Sequence, residues 1–220
     1  QIQYDDLFVS SNRPLLSRAL NAYDPGSTWK PVTAIAGMES GKFPANRKLN
    51  TAPCIKYGSH CFPEFNKRGW GRIGYEDALR VSSNTFFYQV GVGVGSNALY
   101  DAAIKLGFDN YTGIETVLDE NKGLVGNKKW ADKGRGWGKP GETPWIPEDM
   151  ASASIGQSVV LVTPLQLARA YAVFANGGYL ITPHLVDGNR NWRSEKYLQK
   201  VDIQETTLNT IRRGLRKVVT

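Results

Sequence analysis

The sequence predicts a helix-rich α+β domain. Three observations carry that prediction. Apolar residues recur at helical spacing in several separate segments, one segment alternates in the manner of a strand, and the stretches between them are dense in Gly, Pro and Asn. The 220 residues suit one large domain or two small ones, and a hydrophobic fraction of 41% is enough for a sizeable core.

In chain order, residues 1–22 are polar around Pro14-Leu15-Leu16 and read as extended or weakly helical. Asp24-Pro25-Gly26 is a turn. From Ser27 to about Ser40, the apolar residues Trp29, Val32, Ile35 and Ala36 suit a buried helix closed by Gly41. Residues 42–73 read as a long loop with room for one hairpin. Tyr75 to Arg80 is helical, and Ser82-Ser83-Asn84 interrupts it, because these side chains compete for backbone hydrogen bonds and favour caps. Helices follow over Phe86–Val92 and Ser96–Leu106, the second ended by Gly107. Residues 119–147 show no periodicity and read as a surface excursion. Thr163-Pro164-Leu165-Gln166 starts a helix with a Thr cap, Pro in the first turn and Gln three residues on; Asn176-Gly177-Gly178 stops it near Ala175. Tyr179 to Val186 alternates as a strand with a break at Pro183, and Glu205 to Val219 is an amphipathic helix with Leu208, Ile211, Leu215 and Val218 on one face.

The formal net charge is +7. A basic surface attracts anions, whether nucleic acid, anionic lipid or an anionic polymer. The positive residues are scattered singly or in pairs, such as Lys128-Lys129 and Arg212-Arg213, with no arginine-rich arm or zinc-knuckle spacing, which argues against nucleic acid. No run approaches the roughly 20 apolar residues of a membrane span, and no signal peptide is visible. The chain opens in mid-pattern with Gln1-Ile2-Gln3, as an excised piece of something longer would. Cys54 and Cys61 share a loop rich in Gly, Pro and aromatics. A disulfide, free thiols and a metal site using His60 and Glu64 all remain open, the disulfide being favoured outside the cytoplasm.

The sharpest chemical feature is Pro25-Gly26-Ser27-Thr28-Trp29-Lys30-Pro31. Pro31 lacks an N–H and is tolerated only in a first helical turn, which pins Ser27 at or beside a helix N-terminus. Lys30 lies three residues on, on the same face. A desolvated lysine can serve as the base that makes a serine a nucleophile. Alone the pair is weak, since Ser-x-x-Lys arises by chance about once in a chain of this size. Ser82-Ser83-Asn84 could add proton transfer and hold a substrate backbone, but Ser10-Ser11-Asn12 repeats the tripeptide in a polar stretch. His60 and His184 lie in no Ser/His/Asp pattern, and His184 after Pro183 reads as an edge-strand surface residue. Gly91-Val92-Gly93-Val94-Gly95 follows a helix rather than a strand, so it reads as a helix-ending loop and not a dinucleotide fingerprint.

Taken together, these segments resemble the transpeptidase domain of class B penicillin-binding proteins, whose superfamily signature combines Ser-x-x-Lys, a Ser-x-Asn type motif and Lys-Thr-Gly. Gly26 to Ala34 looks like the first motif and Ser82-Ser83-Asn84-Thr85-Phe86-Phe87 the second. Ser154-Ile155-Gly156-Gln157 with Thr163 to Ala168, and Ala175 to Tyr179, match further; Asp6-Leu7-Phe8 and Gly214 to Val219 are similar too. The nearest subgroup resembles the elongation-type enzyme of the side wall, in a cyanobacterial form. The resemblance implies a penicillin-binding, serine beta-lactamase-like α+β fold and peptidoglycan D,D-transpeptidase chemistry, with no cofactor and no metal. Ser27 would attack the penultimate D-alanine carbonyl of a stem peptide and Lys30 would take its proton. Ser82 would relay a proton to the leaving amine, Asn84 would assist it and bind the substrate amide, and the Ser27 N–H would form half of an oxyanion hole. Beta-lactams would trap Ser27. Implied partners are the D-Ala-D-Ala stem peptide, a glycosyltransferase and cell-elongation proteins, with no nucleic acid. The implied location is the periplasmic face of the inner membrane, through an N-terminal anchor and pedestal outside this sequence.

Two features depart from the family. No Lys-Thr-Gly or Lys-Ser-Gly occurs in the sequence; in the family that motif follows the helix ending near Thr220 and donates the other half of the oxyanion hole. The expectation is a domain over 1–220 that stops before it, helix-rich because the C-terminal sheet strands are missing. Second, Ser158 stands where the family usually has glycine, which questions local backbone freedom. A serine beta-lactamase is the nearest rival, but no carboxylate loop for a deacylating water is evident. A beta-lactam sensor that acylates without turnover is a second rival, and a non-catalytic wall-synthesis scaffold is a third.

Overall fold

The computed structural model describes residues 4–115, 119–136, 138–142, 144–185 and 197–220. The opening Gln1-Ile2-Gln3 and the end of the expected strand at Val186 lie outside the described residues. A short helix, α1 (Tyr4–Val9), leads through turns to Tyr23, which bridges Val162 antiparallel. A 3₁₀ turn, Gly26–Trp29, then runs directly into α2 (Lys30–Glu39).

The α2 helix is the axis of the domain: every residue from Lys30 to Met38 is buried. Its small residues let neighbours approach closely. A Cβ on Gly37 would stand 2.6 Å from the Val90 side chain and meet the Tyr75 hydroxyl.

Residues 41–74 form two nested antiparallel ladders rather than one loop. The outer ladder pairs β1 (Lys48–Asn50) with β4 (Arg72–Gly74), and the inner hairpin pairs β2 (Cys54–Tyr57) with β3 (His60–Pro63). Cys54 and Cys61 are joined as a disulfide with a Cα–Cα distance of 5.7 Å, so the sulfurs are unavailable to a metal. Among the described residues no cluster of three or more His, Cys, Asp or Glu could hold a metal ion.

Three helices follow: α3 (Tyr75–Arg80), α4 (Asn84–Val94) and α5 (Ser96–Lys105). The glycine run expected to be a helix-ending loop is mostly inside α4, and only Gly95 caps it. The reason is packing: a Cβ on Gly91 would press on the Ser154 side chain, and one on Gly93 would lie 2.5 Å from the Phe43 ring. Tyr75, Phe86 and Phe87 stack edge to face at 5.1 and 5.2 Å, while Trp29 meets Phe108 at 4.9 Å.

The stretch 119–147, expected to be a surface excursion, is partly internal. It contains β5 (Leu124–Val125) and α6 (Lys128–Asp132), and buries Val125 and Ala131. It is closed by Arg135, whose guanidinium donates to both carboxylate oxygens of Asp149 at 2.9 and 2.5 Å and to the Pro144 carbonyl, between the rings of Trp130 and Trp145. These contacts are non-local, so no periodicity announces them. Asp149 lies on α7 (Pro147–Ser154), a helix the sequence reading did not separate from its neighbours.

β6 (Val160–Leu161) pairs with β5, and α8 (Pro164–Ala175) begins with the expected box: Gln166 N–H donates to Thr163 Oγ1, and Thr163 N–H donates to Gln166 Oε1. The expected strand from Tyr179 is short, β7 (Tyr179–Ile181), and ends before Pro183. It pairs with an unforeseen β8 (Leu198–Lys200). His184 is exposed beyond β7 and not on the strand edge. The amphipathic helix α9 (Glu205–Arg216) closes the domain over α2 and α3, with Arg213 and Lys217 on the Glu76 carboxylate at 2.7 and 2.9 Å. The α+β, helix-rich class holds, with strands only in small antiparallel ladders among the described residues.

Candidate active site

Ser27 sits in the 3₁₀ turn, exposed, and Lys30 is the first residue of α2, buried to 1% exposure. Gly26 makes the turn with φ +56, and its N–H donates to the Gly156 carbonyl at 2.9 Å. Gly156 has to be glycine, since a Cβ there would lie 2.5 Å from both the Gly26 carbonyl and Trp29. Tyr171 on α8 donates to the Thr28 carbonyl at 2.9 Å. The turn carrying Ser27 is therefore held from two sides by the segments 154–157 and 163–175.

The second tripeptide arrives by a helix break. The α3 helix ends with Ser83 N–H donating back to Ala78 O and Ser82 N–H to Leu79 O, with Ser82 at φ +52. Ser83 then caps α4, accepting from Phe86 N–H. This break turns the Ser82 hydroxyl and the Asn84 amide onto the same point.

That point is Lys30 Nζ. It lies 3.2 Å from Ser27 Oγ, 2.9 Å from Ser82 Oγ, 2.8 Å from Asn84 Oδ1 and 2.5 Å from the Ser82 carbonyl. All four residues singled out from the sequence meet here. The other copy of the tripeptide is in a turn with Ser11 and Asn12 exposed, and the Asn12 carbonyl accepts from Arg18.

Burial pushes the Lys30 amine down to about 8, against an opposing pull from the Glu64 carboxylate. Relative to an ordinary lysine, this raises the neutral fraction at pH 7 about 300-fold, to about a tenth. An ammonium offers three donors, and four acceptors surround it. In the neutral form, nitrogen keeps two donors and gains a lone pair, so one hydroxyl must donate to it. Ser27 is placed to do so, which is the arrangement of a nucleophile and its base.

The sequence reading missed Glu64 as part of this site, naming it only as one possible metal ligand. Its side chain is buried and accepts from Ser83 Oγ at 2.6 Å, Asn84 N at 2.8 Å, Thr85 Oγ1 at 2.8 Å, Thr85 N at 3.1 Å and Phe65 N at 3.0 Å. Burial alone would push this carboxyl up; the hydrogen bonds from Ser83, Asn84, Thr85 and Phe65 outweigh it and hold it below the usual carboxylate range. An acid in a basic loop is visible in sequence, but its tie to residues 83–85 is not. Ser158, where a glycine was expected, has φ +66, so the backbone there does adopt the left-handed region that favours glycine.

Comparisons with known proteins converge on one family. The description "Penicillin binding protein transpeptidase domain" matches residues 3–220. The Escherichia coli "Peptidoglycan D,D-transpeptidase MrdA" is 30% identical over 186 residues, covering 83% of this chain and 28% of that protein. The chain thus spans 28% of the length of that curated relative. Among solved structures, the complex between penicillin-binding protein PBP2 and MreC from Helicobacter pylori is similar over 100% of this chain and 39% of its own, with 28% identity and a TM-score of 0.86. Pseudomonas aeruginosa PBP2 in complex with WCK 5153 is similar over 98% of this chain and 47% of its own, with 27% identity and a TM-score of 0.87.

Proposed function

The chain belongs to the penicillin-binding protein transpeptidase-domain family, and from that premise we propose that it carries the nucleophile and base of a serine-type peptidoglycan D,D-transpeptidase of the elongation type. The observation behind this reading is the single amine of Lys30 within 3.2 Å of Ser27 Oγ and 2.9 Å of Ser82 Oγ, with Asn84 completing the contact.

Neutral Lys30 takes the Ser27 proton as Oγ attacks the penultimate D-alanine carbonyl of a stem peptide. The tetrahedral oxyanion is met by the Ser27 backbone N–H. Collapse breaks the peptide bond, and the Ser82 hydroxyl passes its proton to the departing D-alanine amine while taking the proton that Lys30 received from Ser27, which returns Lys30 to its neutral form. An amine on a second stem peptide then attacks the acyl-enzyme and restores Ser27. Asn84 holds the substrate amide. A beta-lactam enters the same path and stops at the acyl-enzyme.

In this reading the domain works within a longer polypeptide, which supplies the Lys-Thr-Gly motif and the anchor to the periplasmic face of the inner membrane. The D-Ala-D-Ala stem peptide is the substrate, and a glycosyltransferase and cell-elongation proteins are partners. Support for the last comes from the MreC-bound relative. Among the described residues, no helix is long and apolar enough to cross a membrane.

The test is intact mass after incubation with a fluorescent penicillin, followed by peptide mapping, on this chain and on a longer one carrying Lys-Thr-Gly. One adduct on Ser27, abolished in Lys30→Ala, is the expected result. A Ser27 adduct on a chain carrying Lys-Thr-Gly that forms no cross-link between stem peptides indicates a beta-lactam sensor instead. No adduct on either chain overturns the acyl-transfer reading and leaves a wall-synthesis scaffold.

A further inference from the structure

The acyl-transfer reading uses Ser27, Lys30, Ser82 and Asn84, and leaves one buried charge without a task. Glu64 is 1% exposed and stands directly behind the second tripeptide. Its two oxygens divide the work. Oε1 accepts from Phe65 N and Asn84 N, and Oε2 accepts from Ser83 Oγ, Thr85 N and Thr85 Oγ1. A carboxylate, with acceptor capacity on both oxygens and no donor, matches such a cage. An amide does not, because its NH₂ would face the Thr85 N–H and a Ser83 hydroxyl already engaged as acceptor from Phe86 N. The negative charge also sits at the N-terminus of α4, where the first-turn N–H groups of Asn84 and Thr85 point.

We propose that Glu64 is a positioning residue of the acyl-transfer centre: it fixes the first turn of α4 so that Ser82 and Asn84 converge on Lys30, and its charge faces the Lys30 amine from behind them. A second feature of the chain serves the same end. Glu64 follows β3 directly, Cys61 on that strand is tied to Cys54, and Glu64 N–H donates to the Pro53 carbonyl at 2.8 Å. The carboxylate is thus delivered by a cross-linked hairpin rather than by a free loop. At Lys30 burial lowers the amine and the Glu64 charge opposes it, whereas at Tyr88 burial raises the phenol and the same charge adds to it.

This inference rests on the acyl-transfer reading for its kinetic consequence but not for its electrostatic one, so two readouts separate them. The first is titration of Lys30 by the ¹³Cε resonance in lysine-labelled chain, which needs no acylation. Removing the charge in Glu64→Gln takes away the pull that favours the ammonium, so Lys30 titrates at lower pH than in the wild type. The second is the penicillin acylation rate against pH. In Glu64→Gln it falls about 100-fold at its plateau, the size of effect expected from misplaced groups, and its rising limb moves to lower pH with Lys30. A purely structural role would lower the plateau and leave the limb in place. Glu64→Asp keeps the charge but draws it back by one methylene. It retains the Lys30 titration and still loses acylation, and it decides the matter if Glu64→Gln does not fold. An unmoved Lys30 titration in Glu64→Gln, or acylation within twofold of wild type in Glu64→Asp, overturns the proposal. If the wild type fails to acylate, the acyl-transfer reading falls while the Lys30 titration still decides the role of Glu64.

Discussion

Ser82 holds a backbone conformation that its own side chain disfavours. At φ +52 it closes α3 in the left-handed position where glycine is the usual residue. A non-glycine residue there costs about 1–2 kcal/mol. The structure retains a serine because the hydroxyl contacts Lys30 at 2.9 Å. Strain kept at a site where the side chain has work to do is a mark of function. Substitution should therefore invert the ordinary ranking of alanine over glycine. Ser82→Gly is expected to be more stable than Ser82→Ala by about 1 kcal/mol, since only glycine is freed of the left-handed penalty. Both should lose penicillin acylation. Denaturant unfolding of the pair checks this, and Ser82→Ala equal to or above Ser82→Gly in stability would show that the conformation carries no strain.

At the scale of elements, the hairpin β2–β3 is the piece most dependent on a single bond. It lies outside the central core, its strands are short, and Cys61 is exposed to reductant. The disulfide closes a short loop, with a sequence separation of 7. Closing a loop of that size restricts the unfolded chain by about 2 kcal/mol. Reduction, or the double change Cys54→Ser and Cys61→Ser, is expected to lower stability by about that amount and to slow labelling of Ser27, because Glu64 follows the strand that loosens. Chemical denaturation with and without reductant measures the first effect, and labelling rate the second. Lost stability with unchanged labelling would separate the hairpin from the site.

For the whole molecule, the ionisable groups of the interior set how stability varies with pH. Lys30 is depressed to about 8 from an ordinary 10.5, so between those values the unfolded chain binds a proton that the native chain does not. Stability therefore rises with pH across that window. Glu64 lies below its ordinary value of 4.5, so its contribution is present above that value and is lost as pH falls through its native value. Tyr88 and Tyr171 are pushed up to about 12, and Tyr75 is pushed up further, by burial; their contributions are present below pH 10 and lost as pH climbs above it. The expected profile of unfolding midpoint against pH falls at the acid end, climbs from about pH 8 to about pH 10 and declines at higher pH as the tyrosines take over. A profile flat between about pH 8 and about pH 10 would show that Lys30 is not held in its depressed state.

What the sequence determined by itself is local. Pro164–Ala175 is legible because apolar spacing, a capping pair and a stop signal lie within one segment, and Tyr75–Arg80 because Ser82-Ser83-Asn84 follows it as a stop signal. The Ser27–Lys30 pair is legible because Pro31 fixes where the helix begins. The tertiary structure decided what depends on distant partners. It brought Ser82-Ser83-Asn84, which the flanking helical segments and the motif resemblance already favoured over Ser10-Ser11-Asn12, onto Lys30 through the break between α3 and α4. It drew 119–147 inward through Arg135 and Asp149, and kept Gly91 and Gly93 within α4 because Ser154 and Phe43 press on them. It also gave Glu64 its place, a carboxylate buried under donors from residues 83–85, and oriented contacts of that kind between distant segments leave no periodicity in the sequence.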